Sequence, residues 1–371
     1  MTASLIRPME GEDLPSVTTL YRTVFGEAAF ANWQRRFDWQ FNQNPATALK
    51  AARMWVGTAD GTILGFLAAF PARLKVLDRL ITILHPCDLM VSPEARGERL
   101  GERLIRGYIE EAGGLANALA YSPSAGRLYD RIGYQSVLAE PGYLRPVKGS
   151  RLLRAMAAKR FSGLSTGAGL VACTSLLAPL AAAIVASVNK VRTPRAPSGF
   201  YIDVNPPFDS DFDDLWLAAS REMPVAFVRD AEFLRWRFLA DPVTDHTVFG
   251  ARNSAGVLLG YAVVCETSRN ALRIGKIMDV FCAPSNAKSV VSAVLPSVLG
   301  HFRQLDVDVV ATKGLHVTIR KELRRYLYVM EPGVEMPARL LWTGDPSLAD
   351  VVYSADNWHL AHSDGDDDFT P

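Results

Sequence analysis

The chain has 371 residues and a mass of 40.6 kDa, which is long enough for two domains. Its 40 Lys and Arg residues nearly balance its 39 Asp and Glu residues, so overall charge favours neither nucleic acid nor another acidic polymer as a partner. The four cysteines, Cys87, Cys173, Cys265 and Cys282, lack metal-binding spacing, which predicts free thiols, a reducing compartment and no bound metal.

The N-terminal region predicts two helices followed by a hairpin. Residues 1–12 are polar and lack the apolar core of a signal peptide, which favours a cytoplasmic location. Apolar residues recur at helical spacing over residues 13–25, and an aromatic-rich second helix follows, with Trp33 and Trp39. Two alternating runs flank Asp60-Gly61, a signal for a hairpin turn.

Residues 88–112 predict a strand, a tight loop and a helix. The apolar run ends at Ser92-Pro93, and helical spacing begins at Leu100. Between them lie Arg96, Gly97 and Gly101. The first N–H groups of such a helix and its dipole can hold a phosphate, and Gly101 permits close approach of the backbone.

This stretch resembles the acetyl-CoA-binding motif of the GNAT superfamily of N-acetyltransferases, which reads Arg or Gln, two residues, Gly, one residue, then Gly or Ala. Arg96 and Gly101 match the motif, whereas Arg99 stands at its first glycine. The resemblance implies that acetyl-CoA, or another acyl-CoA, is the cosubstrate. Its binding loop would comprise Arg96, Gly97, Glu98, Arg99, Leu100 and Gly101.

Downstream residues extend the resemblance over residues 1–146. Ala125, Tyr129, Gly133 and Tyr134 match the family pattern in register, and Ser122 stands at its Asn position. The resemblance implies that Tyr129 is the general acid and that Ser122 lies at the cofactor. It also implies that splayed strands expose the N–H groups of Met90 and Val91 to the thioester carbonyl.

The general base has two candidates on the same predicted strand. Asp88 is the only carboxylate there and could take a proton from the amine, directly or through water. The alternative is that Asp88 bonds a neighbouring loop as a strand-end residue. His85 is the weaker candidate because it precedes a proline, which restricts its conformation.

The middle of the chain is apolar, with no charged residue from position 161 to 189 and basic residues on both flanks. It is long enough to span a bilayer, but the positive flanks disfavour a single span. The alternatives are a helix or helical hairpin broken near Pro179 at a membrane surface, and a helix pair buried between domains. A peripheral position at the inner face of the membrane therefore stays open beside a cytoplasmic one.

The second half repeats the order of elements in the first half. A linker at residues 193–199 precedes it, and Arg229 to Arg237 resembles a stretch found in double-GNAT proteins. Residues 283–288 lack the glycine pattern, so this half is expected to be degenerate and not to bind CoA. The predicted domains are 1–148, a connector 149–199, a second domain 200–345 and an extension 346–371 with a solvated acidic tail.

The predicted fold is α/β (α+β), with two GNAT-like domains, each a mixed, mostly antiparallel twisted sheet flanked by helices, joined by a hydrophobic helical segment. The predicted function is transfer of an acyl group from acyl-CoA or an acyl carrier protein to an amine of a small molecule, amino sugar or lipid precursor. Trp33, Trp39 and Arg235 are candidate linings of the acceptor site. The alternative is a GNAT-fold scaffold without catalysis at a membrane surface, contacted through residues 161–189.

Overall fold

The structure, a computed structural model, describes residues 5–119, 121–138, 142–151, 167–269, 272–326, 329–330 and 338–365. These residues belong to two compact units, neither of which is continuous in sequence. The first unit consists of residues 1–139, 223–244 and 336–371, and the second of residues 140–222 and 245–335.

The described helices, in chain order, are α1 (Leu14–Phe25), α2 (Glu27–Phe41), α3 (Leu100–Glu111), α4 (Pro123–Ile132), α5 (Gly167–Val191), α6 (Ser210–Ala219), α7 (Ala231–Leu234), α8 (Ala287–Gln304), α9 (Val317–Leu323) and α10 (Ala349–Tyr353). A π-helical turn, Arg235–Leu239, continues α7.

The described strands are β1 (Leu5–Pro8), β2 (Arg53–Ala59), β3 (Thr62–Val76), β4 (Arg79–Val91), β5 (Leu115–Ala118), β6 (Gln135–Leu138), β7 (Tyr143–Pro146), β8 (Phe200–Val204), β9 (Val225–Phe227), β10 (Thr247–Asn253), β11 (Leu258–Arg269), β12 (Leu272–Cys282), β13 (Val309–Thr312), β14 (Val329–Met330), β15 (Ala338–Trp342) and β16 (Trp358–His359).

The first unit is built on an antiparallel run of strands, β1 to β4, with helices on both faces. The predicted hairpin joins β2 to β3, and both turn residues, Asp60 and Gly61, have positive φ angles, as such turns require. Alternate residues of β3 face opposite ways: Phe66 packs under α1 and α2, whereas Leu67 packs under α3. The loop between β4 and α3 is therefore anchored to a filled core on each side.

The second unit contains one seven-stranded sheet in the order β14-β7-β13-β12-β11-β10-β8. The β12–β13 pair is parallel, and the other pairs are antiparallel. Together with the sheets of the first unit, this confirms the predicted mixed, mostly antiparallel sheets flanked by helices.

Both units contain strands from the other half of the chain. In the first unit, β15 lies between β5 and β6; in the second, β7 lies between β13 and β14. Strand β7 and strand β15 thus occupy equivalent places, so the two halves exchange their strands reciprocally. The compact units follow this pairing, whereas the predicted boundaries at 148, 199 and 345 follow chain order.

The stretch from Arg229 to Arg237 belongs to the first unit, together with the end of the described chain. Arg229 is fully buried, and its Nη2 lies 2.6 Å from Asp364 Oδ2. Trp358, His359 and Asp364 are buried as well. The expectation of a solvated tail is wrong for residues 358–365, because Trp358 and His359 pair in parallel with β9, and Asp364 supplies the carboxylate that neutralises Arg229.

The apolar middle segment forms one helix, α5, in the second unit. The expectation of a break near Pro179 is wrong, because Gly167–Val191 is one continuous helix that includes this proline. Within the described parts of the chain, none of the helices has the length and apolar character needed to cross a membrane.

Candidate active site

A β-bulge in β4 lies at the centre of the candidate site. Phe66 of β3 is opposite Met90 and Ala68 is opposite Cys87, so Asp88 and Leu89 together face the single residue Leu67. The extra residue is absorbed at Asp88, whose φ angle is 54°. Aspartate tolerates this left-handed conformation better than most residues. The bulge interrupts regular pairing just before the predicted oxyanion-binding residues, and pairing with β3 resumes at Met90 and Val91.

The carboxylate of Asp88 is buried in a cluster with α1 and α2. One of its oxygens lies 2.8 Å from Arg36 Nη2 and 3.2 Å from the Tyr21 hydroxyl. The other accepts a 3.1 Å hydrogen bond from Trp33 Nε1. Burial is the main cause that raises the pKa of Tyr21 above its usual range, which keeps the phenol a donor. This arrangement favours the second interpretation of Asp88, as a residue that bonds neighbouring elements.

Strands β4 and β5 separate beside the bulge. Leu84 N–H still bonds to Ala112 O at 2.8 Å, but the next link passes through a side chain. The Tyr108 hydroxyl donates to Leu84 O at 2.9 Å and accepts from Asn117 N–H at 3.2 Å. The phenol therefore holds the two strands apart at this level, and β5 belongs to a different described sheet from β4.

The two predicted oxyanion donors, Met90 and Val91, have different orientations. Ser92 N–H bonds to Leu64 O at 2.8 Å, which makes this a hydrogen-bonded pair of the antiparallel ladder. Because such pairs alternate, Met90 N–H points toward β3, whereas Val91 N–H points to the side where β5 has separated. Val91 is the better placed of the two donors.

The predicted phosphate-binding loop is exposed and precedes an uncapped helix. Arg96, Gly97, Glu98 and Arg99 are all exposed to solvent, and Leu100 is buried. No described side chain caps the first turn of α3, which leaves the N–H groups at its start available to an anion. The positively charged Arg96 and Arg99 add to the attraction.

Arg99, at the position of the motif's first glycine, has a left-handed backbone conformation. Its φ angle is 58°, in the left-handed region, and it lies directly before α3. Gly97 has a φ angle of 96°. The loop thus has two residues in the left-handed region, and one of them is an arginine rather than a glycine.

The ends of β4, α3 and α4 meet at Gly101. A Cβ at this position would lie 3.3 Å from Leu128 Cδ2 and 3.5 Å from Val91 Cγ2. Tyr129 of α4 and Leu100 of α3 belong to one buried cluster, against which Val91 and Leu128 pack. The fold therefore brings Val91, Gly101 and Tyr129 to one region of the first unit.

Tyr129 is buried among aromatic rings. Its ring centroid lies 5.7 Å from that of Tyr121, edge to face, and 4.9 Å from that of Tyr134. The hydroxyl of Tyr134 is buried and has no hydrogen-bond partner among the described residues. Burial raises the pKa of Tyr134 above its usual range, so this phenol is protonated.

Ser122 begins α4 as its capping residue. Its Oγ accepts a 3.3 Å hydrogen bond from Ala125 N–H and lies 2.8 Å from Ser124 Oγ. The side chain is exposed. A cap of this kind is sufficient to explain a serine here, independently of any contact with a ligand.

His85 is buried against Phe70, whose ring centroid lies 5.0 Å away. Burial lowers the pKa of His85 to about 3, so the imidazole is neutral at physiological pH. Its Nδ1 has no partner among the described residues. A nitrogen with so low a pKa is a weak proton acceptor, which leaves His85 as poor a base as the sequence suggests.

The candidate acceptor residues are separated by the fold. Trp33 lies in the Asp88 cluster, while Trp39 stacks on Trp236 with ring centroids 4.8 Å apart. Trp39, Trp236 and Arg237 line a cavity of about 30 Å³, which is room for water rather than for a substrate. Arg235 is exposed and is not part of this lining.

The sequence did not predict three residues that contribute to the site: Arg36, Tyr108 and Asn117. Arg36 carries the charge that neutralises Asp88, and Tyr108 separates the strands. Asn117 is fully buried on β5, and its side-chain amide has no partner among the described residues. A charged residue inside the aromatic stripe of α2 was the available signal for Arg36, since buried charges are paired.

Comparisons with known proteins bear on the family and the fold. A family model described as an acetyltransferase (GNAT) domain matches residues 5–137. Among curated protein sequences, none matches the chain.

Several solved structures share the fold over most of the chain. A protein from Enterococcus faecalis described as a probable N-acyltransferase aligns with a TM-score of 0.56 at 10% identity, covering 92% of this chain and 73% of the other. N-Myristoyltransferase of Saccharomyces cerevisiae gives 0.53 at 12% identity, covering 92% and 82%.

A tandem GNAT protein from the clavulanic acid biosynthesis pathway gives a TM-score of 0.51 at 15% identity, covering 92% of this chain and 99% of that chain. At such low identity these likenesses concern the fold alone. They extend the GNAT-like architecture to both halves of the chain, and the family match confirms the resemblance seen in the sequence. Residues 5–137 are a domain of the GNAT acetyltransferase family, within a chain that has the fold of tandem GNAT proteins.

Proposed function

We propose that the protein is an acyl-CoA-dependent N-acyltransferase whose active site lies in the first unit. The observation that carries this proposal is the separation of β4 from β5 beside a bulge, with Val91 N–H directed into the gap. The uncapped start of α3, flanked by Arg96 and Arg99, supports binding of the CoA pyrophosphate next to it.

The reaction requires a neutral amine to attack the thioester carbonyl. Val91 N–H would donate to the carbonyl oxygen as negative charge develops there, and a fixed dipole stabilises that charge without reorganisation. When the C–S bond breaks, Tyr129 would give its proton to the departing thiolate. The proton lost by the amine would leave through water, since Asp88 is engaged with Arg36.

For Asp88 we propose a positioning role. Its carboxylate joins the bulge of β4 to Arg36, Trp33 and Tyr21, all within α1 and α2. A bulge fixed in this way keeps Val91 N–H in one orientation. Such positioning matters because a donor misplaced by about 1 Å can lower turnover about a hundredfold.

The acceptor is proposed to be an amine of a small molecule, an amino sugar or a lipid precursor. An acyl carrier protein could replace CoA as donor, because both present a phosphopantetheine arm. The N-myristoyltransferase with a similar fold binds myristoyl-CoA. The length of the acyl chain that this protein accepts should therefore be determined by experiment, beginning with acetyl-CoA.

A scaffold without catalysis is the second candidate function. It is favoured by Arg99, because a non-glycine residue in the left-handed region costs about 1–2 kcal/mol in the predicted binding loop. Titration with acetyl-CoA separates the candidates in part: a ligand bound by the folded state raises the melting temperature. Slow hydrolysis of acetyl-CoA by the purified protein would then distinguish an enzyme from a binding protein.

The decisive variant is Gly101→Glu. A carboxylate here would be pressed against Leu128 and Val91 and would repel the pyrophosphate, so we expect calorimetry to detect no acetyl-CoA binding. Gly107→Glu is the matched control, because it adds the same charge to α3 about 9 Å further along the helix. Equal affinity of Gly101→Glu and wild type would place the nucleotide elsewhere.

A further inference from the structure

The outward face of α5 carries a row of large apolar side chains. Its members recur every three or four residues, and between 39% and 85% of each side chain is exposed: Leu177, Leu180, Ile184, Val188 and Val191. We call these five residues the apolar row. Such spacing places them along one side of the helix. A contiguous exposed apolar surface of this kind usually marks an interaction site.

Contacts with the second unit hold the opposite side of α5 in place. Gly149 permits close approach, since a Cβ there would lie 2.5 Å from the carbonyl oxygen of Ala181. Asn189 Nδ2 donates to Pro146 O at 2.9 Å. Arg145 donates to Asn189 O at 3.1 Å and to Arg192 O at 3.3 Å, both at the C-terminal end of the helix.

These contacts fix the rotation of α5 about its own axis. The guanidinium of Arg145 also complements the negative end of the helix dipole. The side of α5 that contacts Gly149 and makes the polar contacts faces the rest of the unit. The apolar row therefore faces outward. The outward direction is set by the packing rather than by the composition of the helix alone.

The charged residues at the C-terminal end of the apolar row and just after it in the sequence are cations. They are Lys190, Arg192 and Arg195, and residues 161–202 contain no Asp or Glu, although the whole chain is nearly neutral. Arg145 is buried, whereas Lys190 and Arg195 are exposed at the end of the row. An apolar face with exposed cations at its end is complementary to an anionic lipid surface, where apolar side chains enter the interface and Lys and Arg contact the head groups.

We propose that the apolar row of α5, with Lys190 and Arg195, docks the protein on the surface of an anionic phospholipid bilayer. The helix lies in the plane of the interface and does not cross it. This proposal is independent of the acyltransferase activity, because it concerns a surface of the second unit. It would give the enzyme access to acceptors or donors concentrated at a membrane.

The test is co-sedimentation of the full chain with vesicles made of equal parts phosphatidylglycerol and phosphatidylcholine, compared with phosphatidylcholine alone. We expect binding to the anionic vesicles that weakens as salt is raised. Replacing Leu180→Gln together with Ile184→Gln should lower the partition coefficient about tenfold or more. Replacing Lys190→Gln together with Arg195→Gln should lower it about fivefold for each charge.

The matched control is Leu217→Gln, because Leu217 is equally exposed, at 57%, but lies on α6. This variant should bind as wild type does, and circular dichroism should show that all variants are folded. The proposal fails if wild type stays in the supernatant, or if both vesicle types bind it equally. It also fails if the double Gln variant binds unchanged, or if that variant instead abolishes a dimer seen by analytical ultracentrifugation.

Discussion

At the scale of single residues, the buried pair of Arg36 and Asp88 decides how the β4 bulge is held. Both side chains are almost fully buried, with 1% and 4% of their surfaces exposed. Removing one partner of such a pair leaves an uncompensated buried charge, which costs about 3–5 kcal/mol. The pair therefore couples α2 to the strand that carries the proposed oxyanion donor.

The two roles considered for Asp88 predict different turnover in a double variant of Asp88 and Arg36. Asp88→Asn and Arg36→Gln should each lower the free energy of unfolding by about 3 kcal/mol, and the double variant should lose less than the sum of the two. If Asp88 positions the bulge, turnover per folded molecule should recover partly in the double variant. Urea denaturation and acetyl-CoA hydrolysis measure the two quantities.

A role for Asp88 as general base predicts no recovery of turnover in the double variant. A general base lost in Asp88→Asn cannot be restored by changing Arg36, so turnover in the double variant would stay as low as in the single one. That outcome would return Asp88 to the role of proton acceptor.

Two adjacent buried tyrosines provide a matched test of the proposed acid. Tyr129→Phe removes only the hydroxyl, so we expect normal stability and acetyl-CoA affinity but a turnover lower by about 10²–10⁴. Tyr134→Phe removes a buried hydroxyl that has no partner among the described residues. It should leave turnover unchanged and raise the free energy of unfolding by about 1 kcal/mol. Steady-state kinetics and urea denaturation provide the measurements.

A change in turnover of less than about threefold in Tyr129→Phe, well short of the range for general acid catalysis, would contradict the assignment. The proton would then reach the thiolate through water. Equal loss in both variants would instead point to disturbed packing of the aromatic cluster.

At the scale of the element, the start of α3 stores conformational strain in Arg99. Glycine adopts the left-handed conformation without the steric cost that Arg99 incurs at a φ angle of 58°. Arg99→Gly should therefore raise the free energy of unfolding by about 1 kcal/mol. The urea midpoint measures this change, and calorimetry with acetyl-CoA shows whether the lost charge weakens binding.

Arg103→Gly is the control for Arg99→Gly, because it makes the same substitution one turn further along α3. In the helix interior glycine should lower the free energy of unfolding by about 1 kcal/mol. Stability changes of the same sign in both variants would show that the conformation of Arg99 imposes no strain.

At the scale of the whole molecule, the exchanged strands make each unit depend on both halves of the chain. The first unit needs β15 between β5 and β6, and it includes residues 223–244. We expect a fragment of residues 1–148 to lack a cooperative unfolding transition and to show no stabilisation by acetyl-CoA. Circular dichroism during urea denaturation and thermal shift assays test this, with the full chain as control.

If that fragment unfolds cooperatively and binds acetyl-CoA as the full chain does, the predicted boundary at residue 148 marks an independent domain. The exchange of β7 and β15 would then be dispensable for the site. Weak binding restored by adding the missing residues as a separate chain would support the dependence on both halves.

The sequence by itself determined the local features of the site. The strand, loop and helix around Arg96 and Gly101 follow from nearby residues, and the GNAT resemblance built on them is confirmed by the family match over residues 5–137. Helical periodicity and the Asp60-Gly61 turn signal depend on neighbours a few residues apart, which the sequence displays directly. The roles of Tyr129, Ser122 and the loop residues stay predictions.

Only the tertiary structure decided which distant residues meet. Arg36 pairs with Asp88, Tyr108 bridges β4 to β5, and Asp364 neutralises Arg229, in each case through partners that no local pattern specifies. The same holds for the exchange of β7 and β15, because strands of equal apolar character can pair in either half. Long-range burial and charge compensation select these partners, and both depend on the complete fold.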